Sequence, residues 1–320
     1  MLGGKDGLAL ISANGRVRRP GGAGRRPGRR RRLRPRTLAA ALSMEATGAN
    51  TSVLRPAVGQ AKPIPGQIAA ADHLRALLAG SPLLEPGGAR SVQDALSFRV
   101  VPQVHGALRE YVTAARSAVT TELNAAADNP LVSVPDQALI SNGNFQPVVL
   151  AIALRRAADR IGAGRAAERT PDEPPVGRLL PAAGDAARRP TVAYGLQLRY
   201  PAAALFTELK QLAARTSLDT PPLDLGVEDH GTSAPLSVRK ADAALGLLED
   251  LLAVELLLAR DVLAAADHAG PWRQRGTGAA LRMVEQAIAA ADPCPDAVHR
   301  APRDRFPALP RAGHAKTPRG

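Results

Sequence analysis

Apolar residues recur every three to four positions over three long stretches, and this period constrains the fold more than any other feature of the chain. From Gln103 to Ala126 they fall at Val104, Leu108, Val112, Ala115, Val119 and Leu123, the spacing of a helix that buries one stripe. Pro130 closes the segment, because a proline disfavours helical geometry at the preceding Asn129. Leu198, Ala202, Leu205, Leu209 and Leu212 repeat the period in a second helix that ends near Ala214. The third runs from about Pro235 to Asp267, and its Leu245, Leu248, Leu251, Leu252, Leu256 and Leu263 spread beyond one stripe. That spread predicts burial among several helices or at a subunit interface. Aromatic residues make up only 2% of the chain, and alanine and leucine dominate the apolar positions, which favours helix on helix over a sheet. The expected fold is all-α, a bundle of long helices.

At 320 residues and 45% hydrophobic content the chain can bury a large core. Its net charge of +13 resembles a nucleic-acid signature until the charges are located. Eleven arginines and no acid lie between Arg16 and Arg36, so the rest of the chain carries only +2. This Arg/Gly/Pro-rich stretch has no apolar period and is expected to be disordered. It reads as a nonspecific phosphate-binding arm, since no aromatic residue is interleaved to stack on bases, as a solvated linker, or as a short out-of-frame stretch of a GC-rich gene. Two other segments share its composition, Arg155 to Arg189 and Pro293 to Gly320, and both are expected to be irregular.

The lone cysteine, Cys294, excludes an internal disulfide and a cysteine-rich metal site and suits a reducing compartment. Residues Met1 to Asn14 show no secretory signal. The Leu-rich run from Ala244 to Ala266 is interrupted by Glu249, Asp250, Glu255, Arg260 and Asp261, too many charges for a membrane span. A cytoplasmic protein without membrane contact is expected.

No motif for phosphate binding, a nucleophilic serine elbow, a zinc protease or a redox dithiol occurs in the sequence. His105 lies in a predicted helix and His230 beside Glu228 and Asp229, but no second histidine or cysteine stands at ligand spacing, so no metal site is expected. Three polar clusters stand out: QDALSFR (93–99), SNGNF (141–145) and VEDHGTS (227–233). Each precedes a predicted helix, where amide groups and side chains can converge on a small charged ligand. Each also reads as ordinary helix capping, for which Asn, Asp and Ser are the preferred residues.

Taken in order, VQDALSFRVVPQVHGA, ELNAAADNPLV, LISNGNFQP and VEDHGTSAPLSVRKADAAL resemble successive signatures of the histidine ammonia-lyase family, which includes the phenylalanine and tyrosine lyases. GKDGLALISANG, ALSMEA, PGQ and LRALLAGS resemble its preceding segments in the same order. The resemblance covers Gly4 to Asn14 and Ala39 to Ile152, resumes from about Leu198 to Leu263, and fails across the Arg/Pro/Gly-rich segments. It implies elimination of ammonia from histidine or an aromatic amino acid, leaving an α,β-unsaturated acid. It also implies a methylidene-imidazolone electrophile made from an internal Ala-Ser-Gly, a tripeptide that occurs nowhere in this sequence. The expectation is therefore a truncated homologue, with no cofactor of its own and inactive or nearly so alone.

By the same resemblance Arg99 holds the substrate carboxylate, through the paired donors of a planar guanidinium. Glu228 stands near the substrate amino group or side chain, where a carboxylate can assist proton transfer. Phe145 packs on the ring, Gln93 is a polar residue of the pocket, and Asn14 matches the asparagine after the GLAL segment, at a spacing that departs from the family pattern. Leu96 is the clearest departure, since the family commonly carries tyrosine there and leucine donates no hydrogen bond. The expected organisation is residues 1–15 as the remnant of a central lyase segment, 16–38 disordered, 39–292 helical with an irregular insert at about 155–197, and 293–320 a disordered tail. Expected partners are an amino-acid substrate and further copies of the chain, a tetramer in the family, or a complementing N-terminal half. A non-catalytic oligomerisation or binding scaffold is the alternative, and an Arg-rich nucleic-acid binder ranks below it.

Overall fold

A computed structural model describes residues 34–167, 198–214, 224–226, 229–265, 276–291 and 295–306. They form α1 (Arg34–Thr47), α2 (Pro56–Ala61), α3 (Pro65–Leu77), α4 (Leu96–Arg99), α5 (Val101–Asn124), β1 (Leu131–Ser133) and β2 (Ala138–Ile140). There follow α6 (Val148–Ala167), α7 (Arg199–Leu212), α8 (Ala234–Ala265), α9 (Gly276–Ala289) and α10 (Pro295–Arg305). The architecture is all-α, as the apolar period predicts. The strands add one small antiparallel hairpin, pairing Leu131 with Ile140 and Ser133 with Ala138.

The described residues divide into two compact units. The larger gathers the described residues within Gly28–Leu108, Ala163–Leu209 and Gly246–Gly320. Its core joins Ala40, Ala41 and Met44 of α1 to Leu74 and Leu78 at the end of α3, with Leu54, Leu83, Phe98 and Val101. Helix α1 packs on α3 and α9, and α9 packs on α10. Pro65 opens α3 at its first turn, where a proline loses no helical hydrogen bond. From Leu251 to Ala259 every residue of α8 is buried, so this stretch has no solvent face. The one charged residue in it, Glu255, accepts a hydrogen bond from Ser43 Oγ at 2.9 Å, and Arg303 of α10 bridges to Asp250 and Glu249.

The smaller unit contains Arg109–Gly162 and Lys210–Leu245. Ala115 and Ala118 of α5, Leu150, Ala151, Ala153 and Leu154 of α6, and Ala234 of α8 form its core, edged by Val119 and Val238. Alanines at the contact let helix axes approach closely.

Helix replaces expected irregularity in three places. Helix α1 begins at Arg34, inside the stretch 16–38, with Arg36, Thr37 and Leu38 buried. Helix α6 runs past Arg155 to Ala167, and α10 lies inside 293–320 with Phe306 just beyond it buried. Arginine and alanine are strong helix formers, and Leu38 and Phe306 supply the apolar contacts that composition alone conceals. Leu123, expected on the buried stripe of α5, is 52% exposed in the last turn. Residues 1–33 and Cys294 lie outside the described residues, as does most of the segment 155–197.

Candidate active site

In the larger unit the loop before α4 is tied to the turn after α1. Gly48, at a φ of +66° that favours glycine, accepts from the Arg90 amide at 2.8 Å. The Asn50 amide donates to Asp94 Oδ2 at 2.5 Å, and Asn50 Nδ2 donates to the Val92 carbonyl at 2.8 Å. Ser91 Oγ donates to the other oxygen of Asp94 at 3.0 Å. Arg90, Ser91, Val92 and Asp94 are thus held, and Gln93 lies between the last two with its side chain exposed.

Helix α4 follows at once. Phe98 enters the hydrophobic core and Ser97 is buried, whereas Leu96 is 52% exposed. Steps of about 100° per residue explain this contrast, since Leu96 lies roughly 200° around the helix from Phe98. Arg99 is half-buried, with its Nε atom wholly out of solvent. One loop and one helical turn therefore carry Gln93, Leu96 and Arg99, fixed at one end by Asp94 and at the other by Phe98.

In the smaller unit Asn142 is the organising residue of the second polar cluster. Its amide donates to Asn129 Oδ1 at 3.0 Å, its Nδ2 to the Asp128 carbonyl at 2.9 Å, and its Oδ1 accepts from the Asn144 amide at 2.9 Å. Phe145 follows, half-buried, directly before Gln146 and the buried Pro147 that lead into α6. Gln146 Nε2 donates to the His230 carbonyl at 3.4 Å, which brings the SNGNF and DHGTS loops together. Thr232 Oγ1 accepts from the Ala234 amide at 3.4 Å, a side-chain turn that leads into α8. Asp229 and His230 are exposed. Glu228 and Asn14 lie outside the described residues.

The structure thus unites Gln93, Leu96 and Arg99 in one unit and sets Phe145 beside the third cluster in the other. Asn50, Asp94, Asn142 and Gln146 hold these loops. Asp94 and Asn142 sit within the polar clusters and Gln146 directly follows one, but Asn50 gives no sign in sequence, because its partners are 42 and 44 residues away. His105 is buried in α5, and among the described residues no group of three His, Cys, Asp or Glu side chains could hold a metal ion.

Comparison with known proteins places this arrangement. The family profile described as aromatic amino acid lyase matches residues 1–289. A histidine ammonia-lyase of Chloroflexus aurantiacus is 36% identical over 266 residues, covering 78% of this chain and 50% of that protein. One from Symbiobacterium thermophilum is 36% identical over 288 residues, covering 89% of this chain and 56% of that one. The crystal structure of histidine ammonia-lyase from Trypanosoma cruzi superposes with a TM-score of 0.70 at 28% identity, over 87% of this chain and 53% of that one. Ergothionase from Treponema denticola, at a TM-score of 0.73, 21% identity and coverage of 87% and 56%, shares the fold. The chain spans about half the length of the curated relatives it matches. With residues 1–289 matched and relatives 36% identical over most of its length, the chain belongs to the aromatic amino acid lyase family, together with the histidine ammonia-lyases.

Proposed function

We propose that this chain supplies the substrate-holding part of an ammonia-lyase active site. The reaction is elimination of ammonia from histidine or an aromatic amino acid: the Cα–N bond breaks, a Cβ proton leaves, and an α,β-unsaturated acid forms. The family resemblance assigns Arg99 to the α-carboxylate and Phe145 to the ring. Gln93 and Asn14 contribute polar contacts, and Glu228 faces the amino group or an imidazole side chain. The carrying observation is the setting of Arg99, a half-buried guanidinium on a turn anchored by Phe98 and preceded by the Asp94 clamp. A cation held this way meets a carboxylate with little further ordering, which strengthens a charge-assisted pair.

The family's methylidene-imidazolone does not fit these residues, since no Ala-Ser-Gly occurs among the 320 to close into the ring. The electrophile must come from residues outside this sequence, and the chain alone does not turn over. It works in the cytoplasm, as part of a tetramer or with a polypeptide that carries the missing tripeptide.

An ultraviolet assay tests this reading. The chain alone is expected to release no urocanate or cinnamate from histidine, phenylalanine or tyrosine. Mixed with a lyase N-terminal polypeptide bearing Ala-Ser-Gly it regains turnover, which Arg99→Gln reduces roughly a hundredfold. Turnover by the chain alone, or a mixture indifferent to Arg99→Gln, would sink it.

A second reading, a non-catalytic oligomerisation scaffold, draws on exposed apolar residues of and beside the hairpin, Val132, Val134 and Leu139, together with Val149 of α6. It predicts a mixed assembly with intact lyase on size exclusion, and separate elution counts against it.

A further inference from the structure

Several buried polar atoms of the larger unit are not used by the site as described. Arg99 Nε, Gln103 Oε1, Gln67 Oε1 and Ser97 Oγ are all buried without a hydrogen-bond partner. Gln67 and Ser97 are only 3% and 2% exposed. Such atoms are rare in folded proteins, and each calls for an explanation.

Arg99 and Gln103 belong together by geometry and by chemistry. Across the α4–α5 junction the Val100 amide donates to the Leu96 carbonyl at 2.9 Å and the Val104 amide to the Val100 carbonyl at 2.9 Å, although Val100 itself is a turn residue at φ −99°, ψ 6° and Pro102 has no amide hydrogen to donate. Residues 99 and 103 are therefore four positions apart across this turn, near the spacing at which side chains along a helix meet. Nε–H of arginine is only a donor, and Oε1 of glutamine only an acceptor. The next position on this face is Gly106, which has no side chain to compete. A Cβ there would lie 2.5 Å from the Gln67 amide nitrogen, so α3 lies hard against α5 and closes that side.

We propose that Gln103 is a positioning residue for Arg99. Its Oε1 accepts the Nε–H when a carboxylate is bound, and the guanidinium then presents its two Nη groups end-on. A guanidinium can grip a carboxylate side-on, through Nε and one Nη, or end-on, through both Nη groups. An acceptor that occupies Nε leaves only the second mode, and so fixes the direction from which the amino acid enters. The proposal rests on the reading of Arg99 as the carboxylate ligand. Gln67 Oε1 is the rival acceptor.

The test uses the full chain with trans-urocanate as probe, monitored by affinity and by the Arg99 Nε–H resonance, which Arg99→Gln identifies by its loss. Urocanate is expected to shift that resonance and slow its exchange. Gln103→Met keeps the side-chain volume and removes the acceptor. It should weaken urocanate about tenfold, the effect of one charge-assisted hydrogen bond, and abolish the Nε–H response while the thermal midpoint stays put. Wild-type affinity and an intact response in Gln103→Met overturn the proposal, as does loss of the response in Gln67→Met instead. Failure of the underlying reading looks different: Arg99→Gln then binds urocanate as well as the native chain, or the native chain does not bind it at all, and the proposal falls with it.

Discussion

Glu45 sits on α1 only 8% exposed, where Oε1 accepts from Thr277 Oγ1 at 3.1 Å. Burial raises its pKa above the ordinary 4.5, and hydrogen bonds from Ser81 and Thr277 only partly offset it. Asp261 of α8 is shifted the same way, by burial first, with Arg260 opposing. The folded chain holds both protons more tightly than the unfolded chain does. Stability therefore falls as pH rises from the ordinary carboxylate values through the raised ones, and the penalty persists above them. Glu45→Gln keeps an acceptor for Thr277 and has no proton to lose, so its thermal midpoint should decline less between pH 4 and neutrality. Adding Asp261→Asn should flatten the profile further. Midpoints falling as steeply in the double variant as in the native chain would refute the assignment. Neither carboxylate was legible as special in sequence, where Glu45 is one letter of ALSMEA and Asp261 one of five charges in a Leu-rich run. Their environment comes from residues far along the chain: Thr277 is 232 positions from Glu45.

At the level of elements, the crossing of α3 and α5 turns on one missing side chain. A Cβ on Gly106 would meet Gln67 N at 2.5 Å, Gln67 Cα at 2.6 Å and the Gly66 carbonyl carbon at 2.8 Å, all backbone atoms that cannot rotate away. In an exposed helix interior, Gly→Ala stabilises by up to about 1 kcal/mol. Here the clash should reverse the sign, with a net loss of about 1–3 kcal/mol in denaturant unfolding. Gly143→Ala, whose Cβ meets nothing within 4 Å, serves as the control. A neutral Gly106→Ala would mean that the helices slide apart freely. The helices themselves are legible, because period and burial obey one rule: the apolar period over 103–126 marks Val101–Asn124, and that over 198–214 marks Arg199–Leu212. What the period could not show was the α4–α5 junction, the clamp on Asp94, or helix in the Arg- and Pro-rich stretches. All of these depend on contacts distant in sequence or on propensity hidden beneath composition.

For the whole molecule the decisive quantity is where its charge resides. Family membership and a nearly neutral body point to amino-acid chemistry, whereas +13 overall points to phosphate. Both are consistent if the basic stretch and the lyase body act independently. Arg36, counted among the eleven arginines, is 3% exposed inside α1 and cannot serve as a phosphate contact. Nine of the others lie between Arg16 and Arg32. Exchanging those nine for serine should abolish the chain's retention on a polyanion such as heparin and bring the salt dependence of that retention close to zero. The same variant should bind urocanate as the native chain does, since Gln93, Arg99 and Phe145 stand on elements that begin at or after Arg34. Retention surviving the exchange would place the basic surface on the helical body and revive a nucleic-acid role there. Urocanate affinity lost with the arginines would show instead that the two parts of the chain are coupled.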